Sequence, residues 1–173
     1  MKKILVVVDM QKDFTYGALR NEDAIAIIPA MKEKIESFKG DVIFTLDTHT
    51  SDYLSTQEGK KLPVIHCVEN TDGWELVDEL KPLANGKTVI KKPTFGSLEL
   101  AEMLAKLNET DPIDEITLVG ICTDICVISN AMLIKAAMPE VTVKVDAKCC
   151  AGVTQKSHDT ALLAMASCQI EII

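Results

Sequence analysis

The chain has 173 residues, of which 47% are hydrophobic and 25% charged, and its 18 basic and 26 acidic side chains give a formal net charge of −8 at pH 7. These proportions are typical of a folded globular protein, so they exclude a disordered tail, a collagen-like rod and a disulfide-rich miniprotein. Because the net charge is negative and Lys and Arg do not cluster, a nucleic-acid or anionic-membrane partner is also disfavoured.

Six short apolar segments rich in β-branched residues alternate along the chain with longer amphipathic segments. Continuous apolarity within the short segments is typical of strands that are buried on both faces of a parallel sheet. We therefore predict a three-layer α/β/α sandwich with a six-stranded, mostly parallel sheet, in one domain of residues 1–173. In chain order, the predicted strands are 4–8, 42–46, 88–90, 116–119, 141–145 and 170–173, and the predicted helices are 23–38, 75–80, 97–107, 124–138 and 155–167.

The compartment follows from the N-terminal segment and the cysteines. Asp9 and Asp13 interrupt the first apolar run before it reaches the length of a signal-peptide core. No apolar stretch approaches the roughly 20 residues that span a bilayer. Without a secretory signal, the six cysteines are expected to be free thiols, and we expect a cytoplasmic protein.

Polar residues follow four of the predicted strands directly. Asp9 follows the first strand, Asp47 the second, Lys91 and Lys92 the third, and residues 120–126 the fourth. Ligands of an open parallel sheet bind outside the carboxyl ends of its strands, where the strand order reverses. The four segments are therefore expected to meet in one cleft.

Cys126 lies just after the fourth predicted strand, at the start of a predicted helix. Unpaired amides and the helix dipole at that position favour a thiolate and can stabilise an oxyanion, although a buried cysteine is more often a small core residue. A partly buried Asp9 with a raised pKa suits the acceptor of the thiol proton, and the alternative is a turn cap. Lys91 or Lys92 could supply a cation that holds the acid and the thiol together, and the alternative is an exposed surface lysine.

A second group of residues suits a metal ion. Asp47, His49 and His66 offer one carboxylate and two imidazoles, which suit a divalent first-row metal and leave coordination positions open. Asp47 and His49 project to the same side of an extended chain. The alternative is a pair of polar surface histidines. Phe14 and Trp74 could stack on an aromatic substrate or belong to the core, whereas His158 is expected to be a surface or packing residue.

At these residues the chain resembles the isochorismatase-like cysteine hydrolase superfamily, which includes nicotinamidases. The resemblance spans nearly the full length and implies an Asp9, Lys92 and Cys126 triad. Lys92 is preferred to Lys91 because it directly precedes Pro-Thr-Phe-Gly-Ser. The resemblance also implies a non-proline cis bond between Ile121 and Cys122, and an oxyanion hole made by the amides of Cys122 and Cys126. The four ordered motifs are residues 9–14, 47–49 with 66–68, 92–97 and 120–127.

Within the superfamily, the D-x-H and H-C-V motifs are most similar to those of nicotinamidases. The similarity implies a divalent metal at Asp47, His49 and His66, with Zn²⁺ as the first choice and Fe or Mn as alternatives. It further implies hydrolysis of nicotinamide to nicotinate and ammonia through a Cys126 thioester, with Phe14 in the substrate pocket, in a homo-oligomer. The alternatives are hydrolysis of another small amide or a vinyl ether, and a catalytically silent binding protein.

One departure from the family concerns the aromatic wall of the pocket. Many nicotinamidases have a tryptophan shortly before the H-C segment, whereas this chain reads Leu-Pro-Val-Ile at residues 62–65. The nearest tryptophan is Trp74. The sequence therefore leaves the identity of that wall open.

Overall fold

The computed structural model describes residues 2–173 and has a six-stranded sheet at its centre. Every strand pair is parallel, so the predicted fold class is confirmed and the sheet is wholly parallel. The strand order is β3-β2-β1-β4-β5-β6. The strands are β1 (Lys2–Val8), β2 (Asp41–Asp47), β3 (Thr88–Lys92), β4 (Ile113–Ile121), β5 (Thr142–Ala151) and β6 (Glu171–Ile172).

Seven α-helices are found in the described residues, and most are close to the predicted ones. A π-helical turn, Thr123–Val127, directly precedes the sixth helix. None of the described helices is long and apolar enough to cross a bilayer. The helices are α1 (Lys12–Thr15), α2 (Glu22–Ala26), α3 (Ile28–Ser37), α4 (Gln57–Lys61), α5 (Leu98–Thr110), α6 (Ile128–Ala137) and α7 (Gln155–Ser167), with 3-10 turns at Tyr53–Ser55, Asp72–Trp74 and Lys81–Ala84.

Two predicted helices differ from the structure. The predicted helix 23–38 is divided between α2 and α3, because Pro29 has no N–H to continue the hydrogen-bond ladder. The predicted helix 75–80 is wrong. Its backbone instead pairs with the segment after β1. Leu76 forms an antiparallel bridge with Gln11, and the Val77 N–H donates to the Met10 carbonyl.

The sheet is buried on both faces, as its continuous apolar strands predicted. Ile4, Val6 and Val8 of β1 pack into one core cluster with residues of α5, α6 and α7. The intervening Leu5 and Val7 pack into a second cluster with residues of α2 and α3. These five side chains are fully buried, so β1 contributes to both cores of the sandwich.

The strand order reverses between β1 and β4, which are neighbours at the centre of the sheet. The crevice outside the carboxyl ends of these two strands is the usual ligand site of such a sheet. Gly120 allows the close approach of the strands there, because its φ is +121° and a Cβ atom would overlap the Val8 carbonyl. Asp9 directly follows β1 and the π-helical turn follows β4, so both segments enter the crevice.

Candidate active site

The predicted cleft is present as a cavity of about 790 Å³ at the carboxyl edge of the sheet. Its lining includes Cys126 from the π-helical turn, Asp47 from the end of β2, and Phe14 from α1. His66 comes from the long connection between β2 and β3. Residues that are far apart in the chain therefore line one cavity.

Asp9, Lys92 and Cys126 meet beside this cavity. The Lys92 Nζ atom lies 2.5 Å from Asp9 Oδ2 and 3.3 Å from Cys126 Sγ. Asp9 and Lys92 are fully buried, and Cys126 is 5% exposed. The other Asp9 oxygen accepts a hydrogen bond of 2.6 Å from the Thr45 hydroxyl, a contact that the sequence analysis missed. The three groups are thus close enough to exchange protons.

The structure places Lys92, and not Lys91, at this site. Successive residues of a strand point to opposite faces, so only one of the two can enter the cleft. The Lys91 side chain is half exposed, and its ammonium group lies 2.6 Å from Glu69 Oε1 and 5.1 Å from the centre of the Trp74 ring. Lys92 also donates to the Thr94 carbonyl at 3.1 Å.

Burial governs the protonation states of the three groups. Burial raises the pKa of Asp9, although the positive charge of Lys92 opposes the shift. Burial and then the negative charge of Asp9 raise the pKa of the Cys126 thiol well above its usual value. Burial opposes the charged form of Lys92, but the surrounding acidic groups, of which Asp9 contributes most, together raise the pKa of Lys92.

Both shifts at Cys126 favour the neutral thiol over the thiolate. The helix-start position of Cys126 favours a thiolate, whereas burial and the negative charge of Asp9 raise the pKa of the thiol and oppose it. A neutral thiol needs a base before it can attack a carbonyl. Asp9 and the thiol are both in contact with the Lys92 ammonium group, so Asp9 is placed to serve as that base.

The turn that carries Cys126 is held by the backbone and by a buried side-chain pair. The Cys122 carbonyl accepts the N–H groups of Ile125 and Val127, both at 3.0 Å, and the Ile121–Cys122 peptide bond is cis, as the resemblance implied. The Thr123 hydroxyl lies 2.7 Å from His158 Nδ1. His158 is buried and packs behind the turn, as expected.

Asn130 of α6 anchors the same turn from the other side. Its amide nitrogen donates to the carbonyls of Cys126 at 2.8 Å and Phe95 at 3.2 Å. Its amide oxygen accepts the Ser97 N–H at 2.9 Å. This fully buried side chain joins the Cys126 turn to the segment after β3.

Asp47, His49 and His66 form a buried cluster whose candidate donor atoms all lie within 4.8 Å of one another. The Nε2 atoms of His49 and His66 lie 2.9 Å and 3.5 Å from Asp47 Oδ2. His66 Nδ1 is 2.8 Å from the Val64 carbonyl, which can only accept, so Nε2 keeps its lone pair. Burial opposes ionisation of Asp47, but the hydrogen bond with His49 and the positive charge of Lys92 contribute to holding its pKa below its usual value.

This donor set fits a divalent metal. Two imidazoles and one carboxylate form a common zinc site that leaves a position for another ligand. Glu58, which the sequence analysis did not single out, also lines the cavity, and its Oε1 lies 3.5 Å from His49 Nε2. Glu58 lies on α4 in the long stretch between β2 and β3, where no motif marked it.

The Asp47 carboxylate also links the two groups of residues. Its second oxygen, Oδ1, lies 3.7 Å from Lys92 Nζ. The cluster and the Cys126 group therefore occupy adjoining parts of one site.

The aromatic side of the cavity is formed by Phe14 and not by Trp74. The Phe14 ring lies 5.6 Å from the His66 ring, and Phe95 and Leu62 are among the other apolar residues that line the cavity. Trp74 points elsewhere, because its Nε1–H donates to the Thr48 hydroxyl at 2.9 Å.

Comparison with known proteins places the whole chain in one family. The family model described as Isochorismatase domain matches residues 3–173. The chain is also similar to a nicotinamidase of Schizosaccharomyces pombe, with 27% identity over 208 residues that cover 98% of this chain and 91% of the relative.

Two crystal structures have the same fold. One is a pyrazinamidase of Pyrococcus horikoshii in complex with zinc, with 27% identity, a TM-score of 0.81 and coverage of 100% of this chain and 99% of that chain. The other is a pyrazinamidase/nicotinamidase from Streptococcus mutans, with 25% identity, a TM-score of 0.84 and coverage of 99% and 100%. The likeness extends over the full length of each protein.

Proposed function

This chain belongs to the Isochorismatase domain family, and on that premise we propose that it is an amidohydrolase that converts nicotinamide to nicotinate and ammonia. The observation that carries the proposal is the meeting of Asp9, Lys92 and Cys126 beside a cavity that also contains an Asp-His-His cluster. The similarity to a nicotinamidase and to two pyrazinamidases supports the carboxamide as the reacting group.

In the first half of the reaction, Asp9 accepts the proton of the Cys126 thiol and the sulfur adds to the carboxamide carbon. Lys92 stays charged and holds the carboxylate and the sulfur together. The backbone amides of Cys122 and Cys126 form the oxyanion hole in this proposal. Asp9 then returns its proton to the departing nitrogen, so that ammonia leaves and a thioester remains on Cys126.

In the second half, Asp9 accepts a proton from water, which attacks the thioester carbon. The carbon–sulfur bond breaks, the sulfur regains its proton, and nicotinate is released. The buried Asp9 suits both tasks because burial raises its pKa towards the range in which a carboxyl group can both accept and donate a proton.

Asp47, His49 and His66 would hold a divalent cation, for which Zn²⁺ is the first choice. When bound, such a cation supplies an electrophilic position for the ring nitrogen of the substrate. Phe14 lines the cavity beside His66, so its ring would orient the substrate ring.

Substitution of His66 by alanine is expected to remove most of the bound metal. Changes to outer groups alone cost about 10–100-fold in metal affinity, so loss of a ligand should leave the metal content near zero. Elemental analysis of protein purified without chelator measures this content. His158→Ala, which changes a histidine outside the cluster, should keep the metal, and an unchanged content in His66→Ala would contradict the assignment.

Phe14→Leu is expected to weaken substrate binding more than it slows chemistry. Leucine keeps apolar bulk but lacks an aromatic face, and an aromatic pair contributes about 0.5–1.5 kcal/mol. The KM for nicotinamide should therefore rise about threefold to tenfold, while kcat changes by less than about twofold. Phe38→Leu provides a control, because Phe38 directly follows α3 and precedes β2, at the opposite edge of the sheet. An unchanged KM in Phe14→Leu would exclude Phe14 from the binding site.

The direct test is incubation of reduced, zinc-loaded protein with nicotinamide, followed by measurement of ammonia and nicotinate. We expect both products in equal amounts. Release of ammonia from another small amide but not from nicotinamide would keep the amidohydrolase and replace its substrate. No hydrolysis of any carboxamide would overturn the proposal.

The setting of the reaction is also part of the proposal. All six cysteines are free, as expected in a reducing compartment, and we assign the enzyme to the cytoplasm, in the salvage of nicotinamide for NAD synthesis. The homo-oligomer implied by the family resemblance stays a prediction, and light scattering of the purified protein tests it.

A further inference from the structure

We propose that Gln11 and Asp13 are positioning residues that fix the spacing of the two chain segments carrying Asp47 with His49 and carrying His66, and thereby set the affinity of that cluster for a divalent metal. The inference rests on the proposed function only in taking the cluster to be a metal site. Both residues belong to the segment 9–14, in which the mechanism uses Asp9 and Phe14 alone.

The Gln11 side chain binds both backbone polar groups of Asp47, its N–H and its carbonyl. Its Oε1 atom accepts the Asp47 N–H at 2.8 Å, and its Nε2 atom donates to the Asp47 carbonyl at 2.8 Å. The same nitrogen donates to the Trp74 carbonyl at 2.8 Å. Gln11 is fully buried, so no water can replace these three hydrogen bonds without a rearrangement.

The Gln11 side-chain amide makes the hydrogen bonds to Asp47 that a continued β1 strand would have made. The pairing of β1 with β2 stops at Val8 and Thr45, after which the backbone turns away at Asp9, whose φ is +50°. On its other side, Asp47 is still paired with Lys92 of β3. The backbone of Asp47 is therefore held between β3 and the Gln11 side chain, which orients its carboxylate towards the cluster.

Asp13 holds the loop that carries His66. Its Oδ2 atom accepts the Cys67 N–H at 2.7 Å, and its Oδ1 atom accepts the Ala18 N–H at 3.2 Å. Cys67 directly follows His66 and has a φ of +46°, which non-glycine residues rarely adopt. The hydrogen bond to Asp13 stabilises that conformation and so fixes where His66 emerges from the loop.

The Asp13 carboxylate has little freedom to move. A Cβ atom at Gly17 or at Gly73 would overlap it, so both positions provide the space that the carboxylate fills. The loop is also joined to the third member of the cluster, because the His49 N–H donates to the Cys67 carbonyl at 2.9 Å. Asp13 therefore positions His66 and, through Cys67, the backbone of His49.

One short segment thus contacts both parts of the cluster. Gln11 and Asp13 are two residues apart. The Gln11 side chain binds the segment that carries residues 47 and 49, and the Asp13 side chain binds the segment that carries residue 66. Outer groups that orient metal ligands change affinity by about 10–100-fold when they are removed. If Gln11 and Asp13 had a purely structural role, their substitution would instead lower the stability of the fold and leave the metal affinity unchanged.

Asn130 provides a matched control for Gln11. Both are fully buried amides whose nitrogen donates to two backbone carbonyls and whose oxygen accepts one backbone N–H. Asn130 binds the turn that carries Cys126 and makes no hydrogen bond to the segments that carry Asp47, His49 and His66. Gln11→Met and Asn130→Leu each replace the amide by an uncharged apolar side chain of similar size, so they compare the two roles directly.

The experiment measures the zinc Kd by competition with a chelator, together with the thermal unfolding of each variant. We expect Gln11→Met to weaken zinc binding about tenfold or more and Asn130→Leu to change it less than about twofold, with similar losses in Tm. A wild-type zinc Kd in Gln11→Met overturns the role of Gln11, and an equal weakening in both variants does the same.

Asp13→Asn tests the contact between Asp13 and Cys67, and it keeps the proposal testable if Gln11→Met does not fold. Its amide cannot accept both the Cys67 and the Ala18 N–H groups, so we expect zinc binding to weaken about tenfold. Asp78→Asn removes the same charge from an exposed residue nearby that pairs with Lys12, and it should leave the zinc Kd unchanged. Equal zinc affinity in these two variants would overturn the role of Asp13.

The two proposals fail separately. If the wild type does not hydrolyse nicotinamide but Gln11→Met and Asp13→Asn still weaken zinc binding, the substrate is wrong and the positioning role stands. If nicotinamide is hydrolysed and neither variant shifts the zinc Kd, or if the wild type binds no zinc, the positioning role is wrong.

Discussion

Replacing Cys126 by alanine will reduce the kcat for nicotinamide hydrolysis by about 10⁴-fold or more, because no other group in the proposed mechanism can form the thioester. Losses of this size follow removal of the nucleophile from hydrolases that act through an acyl intermediate. The protein should still fold, since the substitution removes only one buried sulfur atom and leaves a small cavity. Initial rates of ammonia release and thermal unfolding measure the two effects.

Cys150→Ala is the matched control for this variant. Cys150 is buried in the same core cluster as Cys126, so its substitution should cost similar stability and leave hydrolysis intact. Acid quenching of the wild type during turnover, followed by mass spectrometry, should reveal a nicotinoyl group on Cys126. Wild-type rates in Cys126→Ala would show that hydrolysis does not pass through this sulfur.

Replacing Lys92 by methionine will abolish hydrolysis and destabilise the fold by about 3–5 kcal/mol. The Asp9 carboxylate, which is fully buried, loses the ammonium group 2.5 Å away. Removal of one member of a buried ion pair leaves an uncompensated charge, which is far more costly than loss of an exposed pair. Urea denaturation measures the free energy of unfolding, and ammonia release measures the activity.

The double variant Asp9→Asn/Lys92→Met separates stability from chemistry. With neither charge present, much of the lost stability should return, because well-packed neutral groups often replace a buried ion pair at little cost. Hydrolysis should not return, since the base is missing. A double variant no more stable than Lys92→Met would show that the cost arises from packing instead of from the unpaired carboxylate.

Lys91→Met is the control for the choice of lysine. Lys91 is exposed and pairs with Glu69 at the surface, where an ion pair contributes about 0–1 kcal/mol. Its substitution should leave both stability and hydrolysis near the wild-type values. Loss of hydrolysis in Lys91→Met with retention in Lys92→Met would reverse the assignment of the lysine.

Much of the site could be predicted because its residues are marked by their immediate neighbours in the chain. Asp9 and Asp47 each follow an apolar run, and a parallel sheet brings the ends of such runs to one edge. The helix predicted at 75–80 was wrong because the conformation of this segment depends on residues that are distant in the chain. Its apolar spacing is helical, but hydrogen bonds with the backbone of Met10 and Lys12 hold residues 75–77 in an antiparallel bridge.

The amino-acid sequence by itself determined the alternation of strands and helices, the layers of the sandwich and the polar groups at the strand ends, since these depend on local periodicity and composition. Only the tertiary structure decided that Thr45 binds Asp9, that Glu58 lies beside the histidines, and that burial raises the pKa of the Cys126 thiol. Such contacts join residues distant in the chain, and burial sets the pKa values, so neither can be read from nearest neighbours.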